Sequence, residues 1–278
     1  MKQCIAIAGR MLHFEGDEGD FYFQHLSQFA QGPGERHLLR FAERYLHPAS
    51  TILDIGASIG LTTAALALAC PKGHVYAFEP SPRNAVYLRR NLTSNALENA
   101  TVVERAVGAV CSATHVTQPF ISVNSAIVRE RDRRPPDDEV ASVAMETIDS
   151  WGAALASPVD FMKLNVGGYE AHVIAGAAET LVRDRPLIFM EFNSVAIAFA
   201  ARRSPLCFAE TIWNLFDVFE IDDAGRLSAA DARLFVLNNM VRHGCVDDIV
   251  LDLKPGHDAR SIREVLAIEI DAERAAAA

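Results

Sequence analysis

The sequence is short of positive charge. It contains 26 Lys and Arg residues against 36 Asp and Glu residues, which gives a formal net charge of −10. Surfaces that bind nucleic acids depend on clustered Lys and Arg side chains that contact phosphates. We therefore expect no nucleic-acid partner. An acidic chain of this kind suits an enzyme that acts on neutral or cationic small molecules, although the charge does not choose among them.

Paired cysteines and long apolar runs are also missing. The five cysteines are scattered and form no Cys-x-x-Cys pair, so neither a disulfide framework nor a zinc site is indicated. The longest apolar helix candidate, Leu61 to Cys70, has about half the length that a bilayer requires. The apolar run at Cys4–Gly9 is too short for a secretory signal. We expect a cytoplasmic protein without a membrane partner.

What the chain does contain is an alternation of apolar strands and helical segments. Strands are predicted at Thr51–Ile55, His74–Phe78, Thr101–Val103, Asp160–Val166, Leu187–Phe192, Val218–Ile221 and Asp248–Leu253. Helical patterns separate most of them, and 278 residues are enough for one large α/β domain. This alternation predicts a mainly parallel sheet with helices on both faces.

Three parts of the chain are predicted. Residues 1–50 form an N-terminal segment with a short strand at Asp20–Phe23 and a helix at Glu35–Tyr45, residues 51–253 form the α/β domain, and residues 254–278 form a helical tail. Aromatic residues of the first segment could pack against a second copy, so a homodimer is possible and the oligomeric state stays open.

The region 108–140 has a less regular pattern. Its charged, proline-containing part, Arg129–Glu139, is interpreted as an exposed loop or as a lid over a substrate pocket. An edge strand is predicted at Val140–Met145.

The run from Asp54 to Gly60 is the most informative part of the sequence. It places a strand, a turn of small residues and a helix start in succession, so that the backbone and its free N–H groups can approach a ligand closely. Glu79 ends the next strand, where a carboxylate can accept hydrogen bonds from both ribose hydroxyls of a nucleotide. A turn that binds no ligand is the alternative.

A dinucleotide site would also combine a glycine-rich turn with an acidic residue about 20 positions later. Here Ala57 follows Gly56 directly, so the second glycine that admits a pyrophosphate is absent. The carboxylate of Asp54 would repel phosphate and suit a cationic amino-acid ligand. Both details favour S-adenosylmethionine, which carries an ammonium and a sulfonium but no phosphate, over a nicotinamide dinucleotide.

Several motifs together resemble the FkbM-type methyltransferase family. They are Gly32-Pro33-Gly34-Glu35, Leu53–Gly60, Ala77-Phe78-Glu79-Pro80, Asp160–Glu170, Gly176-Ala177 and Pro186–Glu191. The resemblance implies the class I methyltransferase fold, a Rossmann-like, mostly parallel seven-stranded sheet with a late antiparallel strand. It also implies S-adenosylmethionine as the donor and a hydroxyl group on a sugar, polyketide or other small metabolite as the acceptor.

Carried over by position, the resemblance assigns the donor site. Asp54, Gly56, Ala57 and Gly60 would line the methionine end, and Glu79 would hold the ribose. Arg105 and Ala106 would lie along the adenine, and Ser125 matches a family serine of uncertain role. Glu35 and Pro80 belong to the matching motifs and join the expected cofactor-binding set.

Catalytic candidates follow from the chemistry of methyl transfer, which requires alignment of donor and acceptor and removal of the acceptor proton. The acceptor should lie beyond the carboxyl ends of the strands, which points to Lys163, Asn165 and Glu191, with His172 in the next helix as a possible base. For Lys163 a structural ion pair with Glu191 is the alternative, and for His172 a solvated surface position.

The sequence departs from the family pattern Lys-Ile-Asp-Val-Glu-Gly. It has Lys163-Leu164-Asn165-Val166-Gly167-Gly168, so an amide and a glycine stand where two carboxylates are usual. Hard cations prefer charged oxygen ligands, and we therefore expect no metal site and no required metal.

Two other function classes stay open. The missing carboxylates are compatible with a non-catalytic protein that binds S-adenosylmethionine and has lost its chemistry. A nicotinamide-dependent oxidoreductase is the third reading, which the Asp54 and Ala57 details disfavour.

Overall fold

A computed structural model describes residues 1–118, 126–128 and 139–266. Its helices are α1 Phe21–Gln24, α2 Leu26–Ala30, α3 Pro33–Tyr45, α4 Leu61–Ala69, α5 Pro82–Ser94, α6 Ile148–Gly152, α7 Glu170–Gly176, α8 Ala178–Asp184, α9 Ser194–Phe199, α10 Pro205–Leu215, α11 Ala232–Val241 and α12 Ala259–Leu266. Its strands are β1 Lys2–Ile7, β2 Arg10–Glu15, β3 Thr51–Ile55, β4 His74–Phe78, β5 Ala100–Val103, β6 Ala106–Val107, β7 Ser112–Gln118, β8 Ala126–Val128, β9 Glu139–Glu146, β10 Phe161–Leu164, β11 Leu187–Asn193, β12 Phe216–Ile221, β13 Leu227–Ala229 and β14 Val246–Leu253.

The large sheet has the strand order β13-β12-β14-β11-β10-β3-β4-β5. Strands β3, β4, β5, β10 and β11 pair in parallel, whereas β14 lies antiparallel between β11 and β12. The mainly parallel sheet predicted from the sequence is confirmed. Seven of its strands coincide with the predicted ones, and the short β13 adds an eighth at the edge by pairing with β12.

Alternate residues of the central strands supply two separate cores. Phe161 and Phe189 face the helices α3, α4 and α5, whereas Met162 and Met190 face α7, α8, α10 and α12. All four side chains are buried. Because successive side chains of a strand point to opposite faces, a run of apolar residues is what a sheet covered on both faces requires.

The N-terminal segment differs from the prediction in two ways. Lys2–Ile7 and Arg10–Glu15 pair as an antiparallel hairpin that the sequence analysis did not predict. The strand predicted at Asp20–Phe23 is wrong, because Phe21–Gln24 is a short helix. The buried carboxylate of Asp20 accepts a hydrogen bond from the N–H of Phe23 at 2.8 Å, which satisfies a free donor of the first helical turn.

A second sheet, of order β6-β9-β7-β8, occupies the region that the sequence analysis treated as irregular. The strand predicted at Val140–Met145 is present as β9, but it pairs with β6 and β7 and not with the edge of the large sheet. Most residues of β7 are small or polar, and the strand pairs with β9 along its whole length from Ser112 to Gln118. The predicted lid at Arg129–Glu139 lies outside the described residues except for Glu139.

The helix boundaries follow identifiable signals. Ser81 accepts a hydrogen bond from the N–H of Asn84, and Pro82 opens α5, as predicted. The predicted tail helix is present as α12, and residues 267–278 lie outside the description. None of the described helices has the length and apolar character needed to cross a membrane. The division into residues 1–50, 51–253 and 254–278 stays a prediction.

The buried Asn91 joins the N-terminal hairpin to the main domain. Its amide oxygen accepts from the N–H of Glu15 at 2.7 Å, and its amino group donates to the carbonyls of Glu15 and Ile59 at 3.1 and 2.8 Å. We predict that Asn91→Ala lowers the free energy of unfolding by about 2 kcal/mol or more, because it leaves buried backbone groups unpaired. Chemical denaturation measures this, with the exposed Ser94→Ala on the same helix as the control. Equal stability of the two variants would contradict the prediction.

Candidate active site

One large cavity lies at the carboxyl ends of the parallel strands. Its volume is about 1160 Å³, somewhat above the ~300–1,000 Å³ typical of a pocket for one small ligand. Residues of β3, β4, β10, β11 and β14 reach it, together with α3 and α11. In open α/β sheets this edge is where ligands bind.

The turn after β3 is shaped by two glycines with positive φ. Gly56 has φ +83°, and a Cβ there would lie 1.8 Å from the carbonyl oxygen of Asn165. Gly60 has φ +98° and precedes α4, where a Cβ would lie 2.5 Å from Leu88. Gly56 and Ala57 line the cavity, whereas Gly60 is not among its described lining residues. Gly60 therefore allows the turn to form on the side away from the cavity, where it packs against Leu88.

The sequence analysis assumed that the carboxylate of Asp54 faces the ligand, but the structure places it elsewhere. Asp54 is fully buried, and Lys163 Nζ lies 3.1 Å from its Oδ1. Its Oδ2 accepts hydrogen bonds from the hydroxyls of Thr62 and Thr63 at 2.9 and 2.6 Å. Within the described part of the chain it is not one of the cavity-lining residues. A carboxylate neutralised in this way cannot discriminate against phosphate.

Lys163 also departs from the expected arrangement. The sequence analysis considered an ion pair with Glu191, but the ammonium pairs with Asp54 and donates to the carbonyl oxygen of Gly56 at 2.7 Å. The reason is register, because Lys163 stands directly opposite Asp54 in the parallel pair β3–β10. The lysine thereby fixes the position of the glycine turn.

Glu79 is buried at the end of β4 and lines the cavity. Its Oε2 accepts from the N–H of Ser58 and its Oε1 from the N–H of Ser81, both at 2.9 Å. Burial raises the pKa of this carboxyl to about 7, although the hydrogen bonds from Ser81, Ser58 and Asn84 oppose the shift. The side chain is held rigidly where a ligand with hydroxyl groups would meet it.

Other predicted donor-site residues lie in the same cavity. Pro80, Arg105 and Ala106 line it next to Glu79, and Arg105 is oriented by a 3.3 Å contact with Glu146. The buried hydroxyl oxygen of Ser58 also lines it and has no hydrogen-bond partner among the described residues. A buried polar atom without such a partner at the edge of the cavity is compatible with a bound polar ligand.

Glu191 lies at the opposite end of the cavity, on β11. The amino group of Asn165 donates to its Oε2 at 2.8 Å, and that of Asn193 donates to its Oε1 at 3.4 Å. Burial, reinforced by the charge of Asp248, raises the pKa of Glu191 to about 7. The structure thus brings Asn165 and Glu191 together, as the sequence analysis expected.

Sequence reasoning missed two residues beside Glu191. Asp248 on β14 stands opposite Glu191 in the antiparallel register, and its pKa is raised mainly by burial. His37 on α3 lies 3.5 Å from Asp248, and this contact raises the pKa of the imidazole. No spacing in the sequence links them, although His37 follows the Gly-Pro-Gly-Glu motif by two residues.

Glu35 belongs to the same end of the cavity and lines it. Burial raises its pKa to about 7, and the charge of Asp248 adds to the shift. Three elements that are distant in the sequence, α3, β11 and β14, therefore direct carboxyl groups toward one space.

His172, predicted as a possible base, is placed away from this space. His172 stacks on Tyr169 with the ring centroids 4.0 Å apart, and it is absent from the described lining of the cavity. Its position gives no support to a role as base. Ser125 lies outside the described residues. Among the residues that are described, no three His, Cys, Asp or Glu side chains are arranged to hold a metal ion.

The strand order, the antiparallel β14 and the glycine turn beside an acidic strand end define a class I, Rossmann-like methyltransferase fold. The model of the methyltransferase FkbM domain matches residues 54–223. The chain therefore belongs to the FkbM methyltransferase family.

The individual relatives have low sequence identity to this chain or match only a short part of it. The chain is 28% identical over 195 residues to the 2-O-methyltransferase NoeI of Sinorhizobium fredii, covering 61% of this chain and 76% of that protein. It is 41% identical over 59 residues to the ribosomal RNA small subunit methyltransferase G of Dichelobacter nodosus, covering 21% of this chain but only 28% of that protein. The crystal structure of methyltransferase FkbM from Methylobacillus flagellatus has a TM-score of 0.42 and 15% identity, with 85% of this chain and 55% of that chain covered.

The two glycines Gly56 and Gly167 offer a matched test of the turn. Both have positive φ, but a Cβ at Gly167 would meet nothing within 4 Å. We predict that Gly167→Ala costs about 1 kcal/mol of stability through backbone strain alone, whereas Gly56→Ala costs ~3 kcal/mol or more because it collides with the Asn165 carbonyl. Thermal and chemical denaturation of both variants check this. Similar losses in the two would show that the close approach at Gly56 is unimportant.

Proposed function

We propose that the protein is an S-adenosylmethionine-dependent methyltransferase that methylates a hydroxyl group of a small metabolite. The observation that carries the proposal is the shared cavity, with the Gly56 turn and the buried Glu79 at one end and Glu191 at the other. The family membership supports methyl transfer.

The first end of the cavity suits the donor. Glu79 would accept hydrogen bonds from the ribose hydroxyls, and Ala106 would lie along the adenine. Gly56 and Ala57 would line the methionine end, and Glu35, which reaches the cavity from the Glu191 side, would face the ligand's positive charge. When bound, S-adenosylmethionine supplies an electrophilic methyl group. The chain's own contribution is a preformed cradle, since the turn is held by Lys163 and by hydrogen bonds from the N–H groups of Gly56 and Ala57 to Phe78.

The second end suits an acceptor hydroxyl. Glu191 would accept the proton of the acceptor hydroxyl when the hydroxyl oxygen receives the methyl group. A base is most effective when its pKa lies near the working pH, and the burial of Glu191 provides that. The name of the relative NoeI states 2-O-methylation, which agrees with an oxygen acceptor. Sugars, polyketides and related metabolites are the classes that the family resemblance offers.

One observation favours a second candidate, a non-catalytic protein that binds S-adenosylmethionine. Asn165 and Gly167 replace two family carboxylates, and an amide cannot take a proton from an acceptor. Glu191 and the neighbouring Asp248 weigh against this candidate because they keep carboxyl groups in the cavity. Methyl transfer to a panel of hydroxylated acceptors separates the two functions.

Donor binding is tested by calorimetric titration with S-adenosylmethionine, S-adenosylhomocysteine and NAD. We expect the first two to bind and NAD not to bind. Glu79→Ala should weaken binding of S-adenosylmethionine at least about tenfold, because charge-assisted hydrogen bonds of this kind contribute ~1.5–3 kcal/mol. The exposed Glu98→Ala is the control for removal of a carboxylate. Unchanged affinity in Glu79→Ala, with the fold intact, would rule out the ribose assignment, and binding of NAD alone would favour an oxidoreductase.

We also predict methyl transfer without an added divalent cation. The amide of Asn165 and the glycine at 167 leave the position poor in the charged oxygens that hard cations need. Initial rates should be equal, within about 20% scatter, in chelator and in magnesium. Complete loss in chelator that magnesium restores would overturn the prediction.

A further inference from the structure

We propose that Asn165 and Asn193 are positioning residues that hold the Glu191 carboxylate between two amide groups, so that it acts as a lone proton acceptor. The inference rests on the proposed function for the identity of the proton donor, an acceptor hydroxyl. The amide arrangement itself is a property of the unliganded chain.

The two amides reach Glu191 from two strand ends. Asn165 directly follows β10 and Asn193 is the last residue of β11. Each donates to a different carboxylate oxygen, at 2.8 Å from Asn165 and 3.4 Å from Asn193. Because both oxygens are engaged, the carboxylate plane is fixed. The remaining lone pairs stay available to a hydroxyl in the cavity.

The orientation of Asn193 is set by a second interaction. Its Oδ1 accepts a hydrogen bond from the N–H of Ala196 at 3.0 Å and so caps the start of α9. The amide oxygen is therefore committed to the helix, and the amino group must face Glu191. A cap and a carboxylate contact are combined in one side chain, which couples the position of Glu191 to α9.

Neutral donors matter here because charged groups surround Glu191. Asp248 on β14 and Glu170 on α7 raise its pKa, whereas Lys163 on β10 lowers it. Glu35 on α3 also faces this space, and the charge of Glu191 raises its pKa. The ammonium of Lys163 is already paired with Asp54. The amides thus stabilise the ionised carboxylate without adding another charge.

An aspartate at position 165, the residue of the resembling family pattern, would change this balance. It would bring a second carboxyl group to hydrogen-bond distance of Glu191. Two carboxylates that close cannot both ionise, so they share one proton and one pKa rises strongly. Asn165 avoids that sharing and leaves Glu191 free to accept the proton from the substrate.

The decisive variant is Asn165→Asp, read by carbon NMR titration of the Glu191 carboxyl in the unliganded protein with labelled glutamate. Glu191→Gln assigns the signal. We expect the apparent pKa of the carboxyl pair to rise by about one unit or more, which is a tenfold or greater loss of the ionised form at neutral pH. The acid limb of the kcat profile should move upward equally, while the affinity for S-adenosylmethionine stays within about twofold.

Two further variants keep the test independent of folding defects. Asn193→Asp can still cap α9 through a carboxylate oxygen, and it should raise the Glu191 pKa from the other side. Asn165→Ala removes a donor without adding charge and should give a smaller shift in the same direction. Asn214→Asp on the exposed side of α10 adds the same charge elsewhere and serves as the control.

The outcomes distinguish the positioning role of Asn165 and Asn193 from the proposed methyltransferase function. An unshifted Glu191 titration in Asn165→Asp and Asn193→Asp, with both variants folded, would overturn the positioning role. Shifted titrations together with an unchanged kcat profile would confirm the arrangement but remove Glu191 from proton acceptance. A protein that shifts as expected yet methylates no acceptor would retain the positioning role and fail the proposed function.

Discussion

The buried ion pair between Lys163 and Asp54 is the constraint on which the site depends. It joins the two central strands β3 and β10 at their carboxyl ends and also holds the carbonyl of Gly56. Removing one partner of a buried pair typically costs about 3–5 kcal/mol, because the other charge is left uncompensated. Both charges therefore serve to hold the two strands and the Gly56 turn in place. Lys163 also lines the cavity, beside the turn that it holds.

The carboxyl groups that face the cavity lower the stability of the unliganded protein when they are ionised. Glu35, Glu79 and Glu191 each have a pKa raised to about 7 by burial. Their folded pKa values lie above the unfolded ones, so stability falls as the pH rises from about 4.5 to about 7, and above that the full cost of ionising them in the folded state is present. A cationic ligand would relieve that cost. Binding and stability should therefore be linked through the protonation of these groups.

Much of the fold could be predicted, because the βα repeats carry strong apolar patterns and because Ser81 with Pro82 marks a helix start. The hairpin at the N-terminus was missed, although Ile5 and Ile7 on β1 and Leu12 and Phe14 on β2 are buried and alternate with exposed residues. In the second sheet β9 was predicted but its partners β6 and β7 were not, since β6 has only two residues and β7 is mostly polar and small. In the site, the positions of Gly56, Glu79 and Glu191 followed from their places at strand ends. The partners did not, because strand register decides that Lys163 faces Asp54, and antiparallel pairing brings Asp248 beside Glu191.

The antiparallel strand β14 has a consequence for how such a protein can diversify. It carries Asp248 back to the sheet from a stretch of chain that follows the Gly56 turn, Glu79 and the strand β10. The Gly56 turn and Glu79 come from the first half of the chain, with Lys163 of β10 holding the turn, whereas β12, α11 and β14 bring further lining residues of the cavity. Under the proposed function, exchange of that late stretch would change which acceptor is recognised, while the Gly56 turn and Glu79, the residues proposed to hold the donor, stay in place.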